Sequence, residues 1–237
     1  METKEISYTC GNTTLTGYLA DGARADSAPG ILVCHQGGGL REHEKARAER
    51  LADLGYVAFA IDMYGKPVTK MEEAAPLMYE LMHNPTLWQA RVMAGVDTLK
   101  AQPNVDISRL AAIGFCFGGR TVIDMARYAN EMACIVAFHP GMAELPASDD
   151  RPVVTRVLVC AGQKDPLIPP EAREQFLKLM ADAGADAQLI TYSQAGHSFT
   201  DEGVAAFNMP NFEYHAETDR RSWAAMRAMF DEALGPI

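Results

Sequence analysis

The segment "AAIGFCFGGR", residues 111–120, is the most informative part of the sequence about the fold. Its first half is apolar like a buried strand and its last residues can begin a helix, so it predicts a sharp strand–turn–helix junction. Residues 114–119 read G-x-C-x-G-G, the pattern of a nucleophile elbow with Cys116 at the position where serine usually stands. On its own the stretch leaves three roles open for Cys116: a nucleophile, a redox thiol, or a small buried residue.

The rest of the chain alternates short apolar runs with helical patterns. The runs are continuously apolar, which is typical of parallel strands covered on both faces. The predicted strands are residues 31–35, 57–62, 110–115, 134–139, 157–162 and 187–192. The predicted helices are residues 41–55, 86–102, 120–129, 170–184 and 216–234. With an antiparallel hairpin over 1–20 at one edge, this order predicts an α/β fold: a doubly wound, mostly parallel sheet with helices on both faces.

Length and charge limit the possible organisation and partners. The 237 residues are 48% hydrophobic, which suffices for one core, and residues 21–29 and 142–152 read as surface turns. We therefore expect a single domain over 1–237. A net charge of −10 disfavours nucleic acid and anionic membranes as partners. The N-terminal residues do not resemble a secretory signal, so we expect a cytoplasmic protein, a monomer or homodimer, acting on a small molecule.

The five cysteines form no C-x-x-C pair, so neither a zinc knuckle nor a thioredoxin-type motif is predicted. Cys34, Cys134 and Cys160 each lie in an apolar run and are predicted to be buried packing residues. Cys10 has no predicted chemistry. We expect neither a metal nor an organic cofactor.

Two further reactive residues follow later predicted strands. In open parallel sheets, ligands bind beyond the carboxyl ends of the strands. Asp165 follows residues 157–162 and His197 follows residues 187–192, which gives the chain order nucleophile, acid, base of the α/β-hydrolases. Alone, Asp165 would be an ordinary turn residue and His197 one of six histidines. Their placement predicts a catalytic triad of Cys116, Asp165 and His197.

A glycine-rich loop, "CHQGGGL" at residues 34–40, follows the first predicted parallel strand. Hydrolases place a backbone N–H here, which pairs with the N–H after the nucleophile to hold an oxyanion. The sequence thus predicts an oxyanion hole formed by the amides of Gly37 and Phe117. The alternative is a glycine loop that serves only a tight turn. A phosphate loop is disfavoured because G-x-x-x-x-G-K-[ST] is absent.

At this point the sequence resembles the dienelactone hydrolase family over nearly its whole length. The resemblance rests on a combination of segments: "CHQGGGL", "LADLGYVAFAIDMYG", "GFCFGG", "GQKDPLIP" and "GHSF". It implies an α/β-hydrolase fold and a Cys-His-Asp triad, which falls on Cys116, His197 and Asp165. The implied reaction is hydrolysis of a carboxylic ester or lactone through a thioester on the cysteine.

The chain departs from the family pattern at two places. Gln36 stands where the type enzymes have a glutamate that takes up the thiol proton, so His197 must deprotonate Cys116 or form an ion pair with it at rest. Gln36 is then predicted to donate a hydrogen bond into the site. Thr200 and Asp201 lie where the type enzymes hold the substrate carboxylate with an arginine. We therefore expect a neutral ester or lactone as substrate.

Apolar residues are predicted to line the substrate pocket. The predicted wall consists of Tyr64, Phe115, His139, Phe199 and the helix over residues 71–82, although the methionines of this helix could equally be ordinary core.

Three alternatives stay open. The same nucleophile could attack a neutral phosphotriester, with its P=O in the oxyanion hole. Cys116 could instead be a redox-sensing thiol, which the lack of a resolving cysteine nearby in sequence disfavours. The chain could also be a binding protein on a hydrolase fold that has lost its activity.

Overall fold

The computed structural model describes residues 1–142, 152–207 and 209–237. Residues 143–151 of the predicted surface turn over 142–152 therefore lie outside the described residues. The chain forms two compact units, Met1–Ala112 with Ile237, and Ile113–Pro236.

The first unit contains four strands, three helices and most of a fifth strand. Its elements are β1 (Glu2–Cys10), β2 (Thr13–Asp21), β3 (Ala28–Cys34), α1 (Glu42–Leu54), β4 (Val57–Ile61), α2 (Met71–Met82), α3 (Pro85–Lys100) and the beginning of β5 (Val105–Phe115). The strand order is β1-β2-β4-β3-β5. β1 pairs with β2 as an antiparallel hairpin at the edge, as predicted, and β2 is antiparallel to β4. The β3–β4 pair is parallel and every residue of both strands is buried.

Helix α1 shows how local sequence sets an element boundary. Its C-terminal cap is Gly55 with φ 109°, in the left-handed region that glycine adopts without strain. The helix packs against β2, β3 and β4. The helix ends at Leu54, close to the end of the predicted helix over 41–55.

The second unit begins with the last residues of β5 and continues with parallel strands. Its elements are α4 (Phe117–Met125), β6 (Met132–Phe138), β7 (Arg156–Gly162), α5 (Pro170–Asp182), β8 (Ala187–Tyr192), a 3₁₀ turn (Val204–Phe207) and α6 (Ala216–Leu234). The strand order is β5-β6-β7-β8, and the β6–β7 and β7–β8 pairs are parallel. α4 packs on β6, α5 on β8, and α6 on β6 and β7.

Four elements differ clearly from the sequence predictions. β3 begins at Ala28 rather than 31, so the last two residues of the predicted surface turn over 21–29 belong to a buried strand. β5 begins at Val105 rather than 110, because its first five residues mix apolar and polar side chains, are exposed or half-buried, and so form no continuous apolar run. α4 begins directly after Cys116 and ends at Met125, whereas the predicted helix covered 120–129. β8 was predicted to be fully buried but is half-exposed, because it ends the strand order and has a neighbour on one side only.

The predicted burial of three cysteines is confirmed. Cys34, Cys134 and Cys160 are fully buried or nearly so. Burial raises the pKa of Cys134 and of Cys160 to about 12, and raises that of Cys34 further. These three thiols are packing residues that stay protonated at neutral pH. No described helix is long and apolar enough to cross a membrane.

Candidate active site

Cys116 lies at the junction between β5 and α4, in the second unit. Its φ is 52° and its ψ −111°, a strained backbone conformation for a residue with a side chain. The strain is held by a hydrogen bond from the Cys116 N–H to the Phe138 carbonyl, 3.0 Å long. Because α4 begins at Phe117, the positive end of its dipole faces the Cys116 position and favours a thiolate.

Two glycines make this turn possible. A Cβ on Gly114 would lie 2.0 Å from the Gly118 carbonyl oxygen, so no other residue fits at position 114. A Cβ on Gly119 would lie 3.0 Å from the Pro140 side chain and 3.1 Å from the Phe138 oxygen. The predicted strand–turn–helix junction is therefore present, and close backbone approach is the reason for its glycines.

Asp165 lies in the turn that follows β7, and both oxygens of its carboxylate have partners. Oδ2 is 2.7 Å from His197 Nδ1, and Oδ1 accepts from the Leu167 N–H at 2.8 Å. The carboxylate is 4% exposed and the imidazole is fully buried. Because Oδ2 takes the Nδ1 side, Nε2 is the nitrogen of His197 left to exchange a proton with a nucleophile.

The charge of Cys116 affects the pKa of His197. Burial alone would lower the pKa of His197. The negative charge of the Cys116 thiolate and the hydrogen bonds with Asp165 and Cys116 outweigh it and raise the pKa to about 10. This raised pKa favours the protonated form of His197 at neutral pH.

Two segments that the sequence did not point to hold the predicted acid and base, Asp165 and His197, in place. Arg173, in the first turn of α5, donates to the carbonyls of Gly162 and Gln163 at 3.0 and 3.2 Å, at the start of the Asp165 turn. The main chain of His197 bonds to Asn211 and Glu213, and the Phe212 ring lies 4.5 Å from the imidazole. In the sequence, the signal for Arg173 is limited to the helical pattern that begins at Pro170.

The predicted pocket residues of the second unit lie around His139, which contacts His197. The ring of His139 stands edge-on to that of His197 at 5.2 Å, and its Nε2 is 2.8 Å from the Thr200 hydroxyl. The ring centroid of Phe199 lies 5.0 Å from that of His139, and the Phe115 centroid lies 6.1 Å from it. All three aromatic side chains are fully buried. Their role as substrate contacts stays a prediction.

Asp201 is turned inward rather than free to face a ligand. It is 6% exposed, and its Oδ1 accepts from the Gly203 N–H at 2.8 Å. Thr200, bonded to His139, is 1% exposed. Neither residue supplies a cation at the position where the family resemblance implies an arginine.

The glycine-rich loop lies in the first unit and is held by main-chain and side-chain bonds. The Gln36 N–H and the Arg41 N–H donate to the two oxygens of Glu44, at 3.2 and 3.0 Å. Glu44 is fully buried; burial alone would raise its pKa, but the hydrogen bond and charge of His43 outweigh this and lower it to about 2. Both ends of the loop thus meet one ionised carboxylate, which the sequence analysis did not identify.

Gln36 and Tyr64, both predicted to bind substrate, are nearly buried at 5% and 4% exposure. The side-chain nitrogen of Gln36 is 3.5 Å from His43 Nδ1. The Tyr64 hydroxyl donates to the Gly37 carbonyl at 2.9 Å. Gln36, Gly37 and Tyr64 therefore lie close together within this unit, and their predicted roles toward a substrate stay predictions.

Within the residues that the structure describes, no cluster of three or more histidine, cysteine or acidic side chains could hold a metal ion.

Comparison with known proteins identifies the family. Residues 15–234 match the model of the dienelactone hydrolase family. The chain belongs to the dienelactone hydrolase family. It is 28% identical, over 94% of its length and 88% of the relative's, to a Yersinia pestis protein provisionally named a carboxymethylenebutenolidase.

Two solved structures are similar to this member of the dienelactone hydrolase family over almost its whole length. The structure named m3DLH is 42% identical, with a TM-score of 0.92 and 98% of each chain covered. A dienelactone hydrolase-like promiscuous phosphotriesterase from metagenomic libraries is 35% identical, with a TM-score of 0.93 and 99% of each chain covered. The predicted α/β-hydrolase fold is therefore confirmed, and the chain is a hydrolase of the ester- and lactone-cleaving class.

Proposed function

We propose that this protein hydrolyses neutral carboxylic esters or lactones by covalent catalysis, with Cys116 as nucleophile, His197 as acid and base, and Asp165 orienting His197. The observation that carries the proposal is the 2.7 Å bond between Asp165 Oδ2 and His197 Nδ1, next to a cysteine on a strained elbow. A pKa of about 10 for His197, raised chiefly by the Cys116 charge against burial, supports an ion pair that is ready at rest.

The proposed reaction has two half-reactions. The Cys116 thiolate attacks the ester carbonyl carbon, and His197 gives its Nε2 proton to the departing alcohol, which leaves a thioester and a neutral imidazole. Nε2 then takes a proton from water, whose oxygen attacks the thioester. The acid is released, and the proton on His197 restores the ion pair. The Phe117 amide, at the N-terminus of α4, and the Gly37 amide are the proposed oxyanion donors.

A neutral substrate is favoured by the residues after His197. Thr200 and Asp201 supply no cation, and both are held by bonds within the second unit. The chain's charge of −10 also disfavours an anionic acyl group.

The direct test is hydrolysis of p-nitrophenyl esters by Cys116→Ala and by Cys134→Ala, a buried thiol outside the site. We expect Cys116→Ala to lose about 10³-fold or more in kcat, since removal of a nucleophile leaves only binding and electrostatic effects. Cys134→Ala should keep its activity. Equal activity of wild type and Cys116→Ala would overturn the proposal.

The role of Gln36 has its own test. Gln36 lies beside His43, and a carboxylate at this position would restore the glutamate that the family resemblance implies as acceptor of the thiol proton. Gln36→Glu is therefore expected to change kcat/KM and its pH profile. If both match wild type, Gln36 has no part in activating the thiol.

A phosphotriester is the second candidate substrate. It is favoured by the 35% identical neighbour that is named a promiscuous phosphotriesterase. The thiolate would attack phosphorus and expel an aryloxide, and water would then cleave the phosphorylated cysteine. Incubation with paraoxon should give aryloxide release or a covalent adduct on Cys116. If neither is seen, this second activity is absent.

The redox alternative predicts the opposite pattern. A sensing thiol would consume peroxide and fail to turn over esters. Measured together on the same preparation, the two rates separate a hydrolase from a redox protein.

A further inference from the structure

We propose that Tyr64 is a positioning residue: its hydroxyl holds the Gly37 carbonyl and thereby fixes the backbone conformation of the proposed oxyanion donor. This inference rests on the proposed function, and it assigns Tyr64 a different role from that of a pocket wall.

The peptide before Gly37 carries the donor N–H and is fixed by its carbonyl. The Gln36 oxygen accepts from the Gly39 N–H at 3.1 Å and lies 2.6 Å from His35 Nδ1. His35 Nε2 accepts from the Met63 N–H at 3.2 Å, and burial lowers the pKa of His35, so the neutral ring carries its proton on Nδ1 and donates it to Gln36. In a trans peptide the N–H points opposite to the carbonyl, so these bonds set the direction of the Gly37 N–H.

The peptide after Gly37 is fixed by Tyr64. The hydroxyl donates to the Gly37 oxygen at 2.9 Å. The carbonyls of Gln36 and Gly37, one on each side of the Gly37 Cα, both accept hydrogen bonds. Gly37 therefore loses the φ and ψ freedom that a glycine otherwise keeps. A Cβ at position 37 would lie 3.0 Å from the Met78 sulfur, so a side chain there would require the Met78 thioether to shift.

Tyr64 is itself well anchored. Its N–H donates to Asp62 Oδ1 at 2.7 Å, and its ring stands edge-on to His35 at 4.6 Å. The ring also borders Gly39, where a Cβ would lie 3.4 Å from Tyr64 Cδ2. One side chain thus contacts His35, Gly37 and Gly39, and its hydroxyl is the part whose removal changes the loop with the least effect on packing.

The experiment compares Tyr64→Phe with wild type by three measurements. The first is kcat and KM on a neutral p-nitrophenyl ester. The second is the rate at which iodoacetamide alkylates Cys116, which needs the thiolate but develops no oxyanion. The third is inhibition by an aryl aldehyde, whose hemithioacetal does need the oxyanion donors.

We expect kcat of Tyr64→Phe to fall about 10-fold with KM nearly unchanged, since a misdirected donor loses part of the 10²–10³-fold that complete removal costs. Aldehyde inhibition should weaken by a similar factor, and the alkylation rate should match wild type. Tyr18→Phe removes a tyrosine hydroxyl from β2 of the same unit, where its partner is Glu49. This control should keep kcat and aldehyde affinity.

Two results would overturn the proposal: unchanged kcat and aldehyde inhibition in Tyr64→Phe, or a loss of alkylation in parallel with kcat, which indicates general disruption. If Tyr64→Phe is less stable than wild type, the three measurements are made on both proteins at a temperature at which circular dichroism shows the variant to be folded. The same split between kcat and alkylation is expected, and its absence counts against the proposal. Failure of the proposed function shows separately, as full ester activity of Cys116→Ala.

Discussion

At the scale of the residue, three side chains carry the proposed chemistry. Cys116, Asp165 and His197 could be predicted from sequence because each follows a recognisable apolar run. The bond from Tyr64 to Gly37 could not, because a contact across 27 residues between a side chain and a backbone oxygen leaves no local pattern. The same holds for the carboxylate of Glu44, which reads in sequence only as an acidic residue in the first turn of a helix.

The pH profile tests the triad at this scale. His197 must be protonated to release the alcohol, so kcat/KM of wild type is expected to fall as the pH rises through about 10. The charge and hydrogen bond of Asp165 raise the pKa of His197. In Asp165→Asn the alkaline fall should therefore move to lower pH, and kcat should drop. If kcat/KM falls at the same alkaline pH in wild type and in Asp165→Asn, Asp165 does not raise the pKa of His197.

At the scale of the element, the site depends on how strands and helices end. The elbow needs β5 to end and α4 to begin within one residue of Cys116, and the clash at Gly114 shows why its pattern was readable in sequence. The half-exposed β8 could not be predicted, because "AQLITY" has the same apolar character whether one or two strands flank it. Sequence predicts that a strand forms; its position in the sheet depends on pairings far along the chain.

Arg173 provides a test at this scale. Arg173→Met leaves the carbonyls of Gly162 and Gln163 without their guanidinium partner and frees the Asp165 turn. We expect the free energy of unfolding to fall by about 1–3 kcal/mol, and kcat to fall more than KM changes. Thermal and urea unfolding with steady-state kinetics measure both effects.

Arg156→Met is the matched control. Arg156 lies at the start of β7 in the same unit, and its ion pairs with Asp186 and Glu232 involve exposed side chains. Such pairs contribute about 0–1 kcal/mol, so this variant should resemble wild type. Equal effects of the two substitutions would mean that Arg173 has no particular part in holding the turn.

At the scale of the whole molecule, fold and family were predictable because many weak signals agree along the chain. The −10 charge is also a property of the whole chain. It predicts that an anionic ester, such as a p-nitrophenyl hemisuccinate, has a lower kcat/KM than the neutral ester of the same acyl length. Added salt should raise kcat/KM for the anionic ester and leave kcat/KM for the neutral ester unchanged. A faster anionic ester at low salt would point to a carboxylate-binding cation instead.

In the proposed mechanism, Cys116 becomes acylated during turnover. The most direct measurement is rapid-quench mass spectrometry of the protein mixed with a p-nitrophenyl ester, followed by peptide mapping. We predict one acyl group per chain on the peptide that carries Cys116, formed and lost at rates that account for kcat, and no adduct in Cys116→Ala. Turnover at the wild-type rate with no acyl-Cys116, or an acyl group on another residue at the same rate, would contradict it.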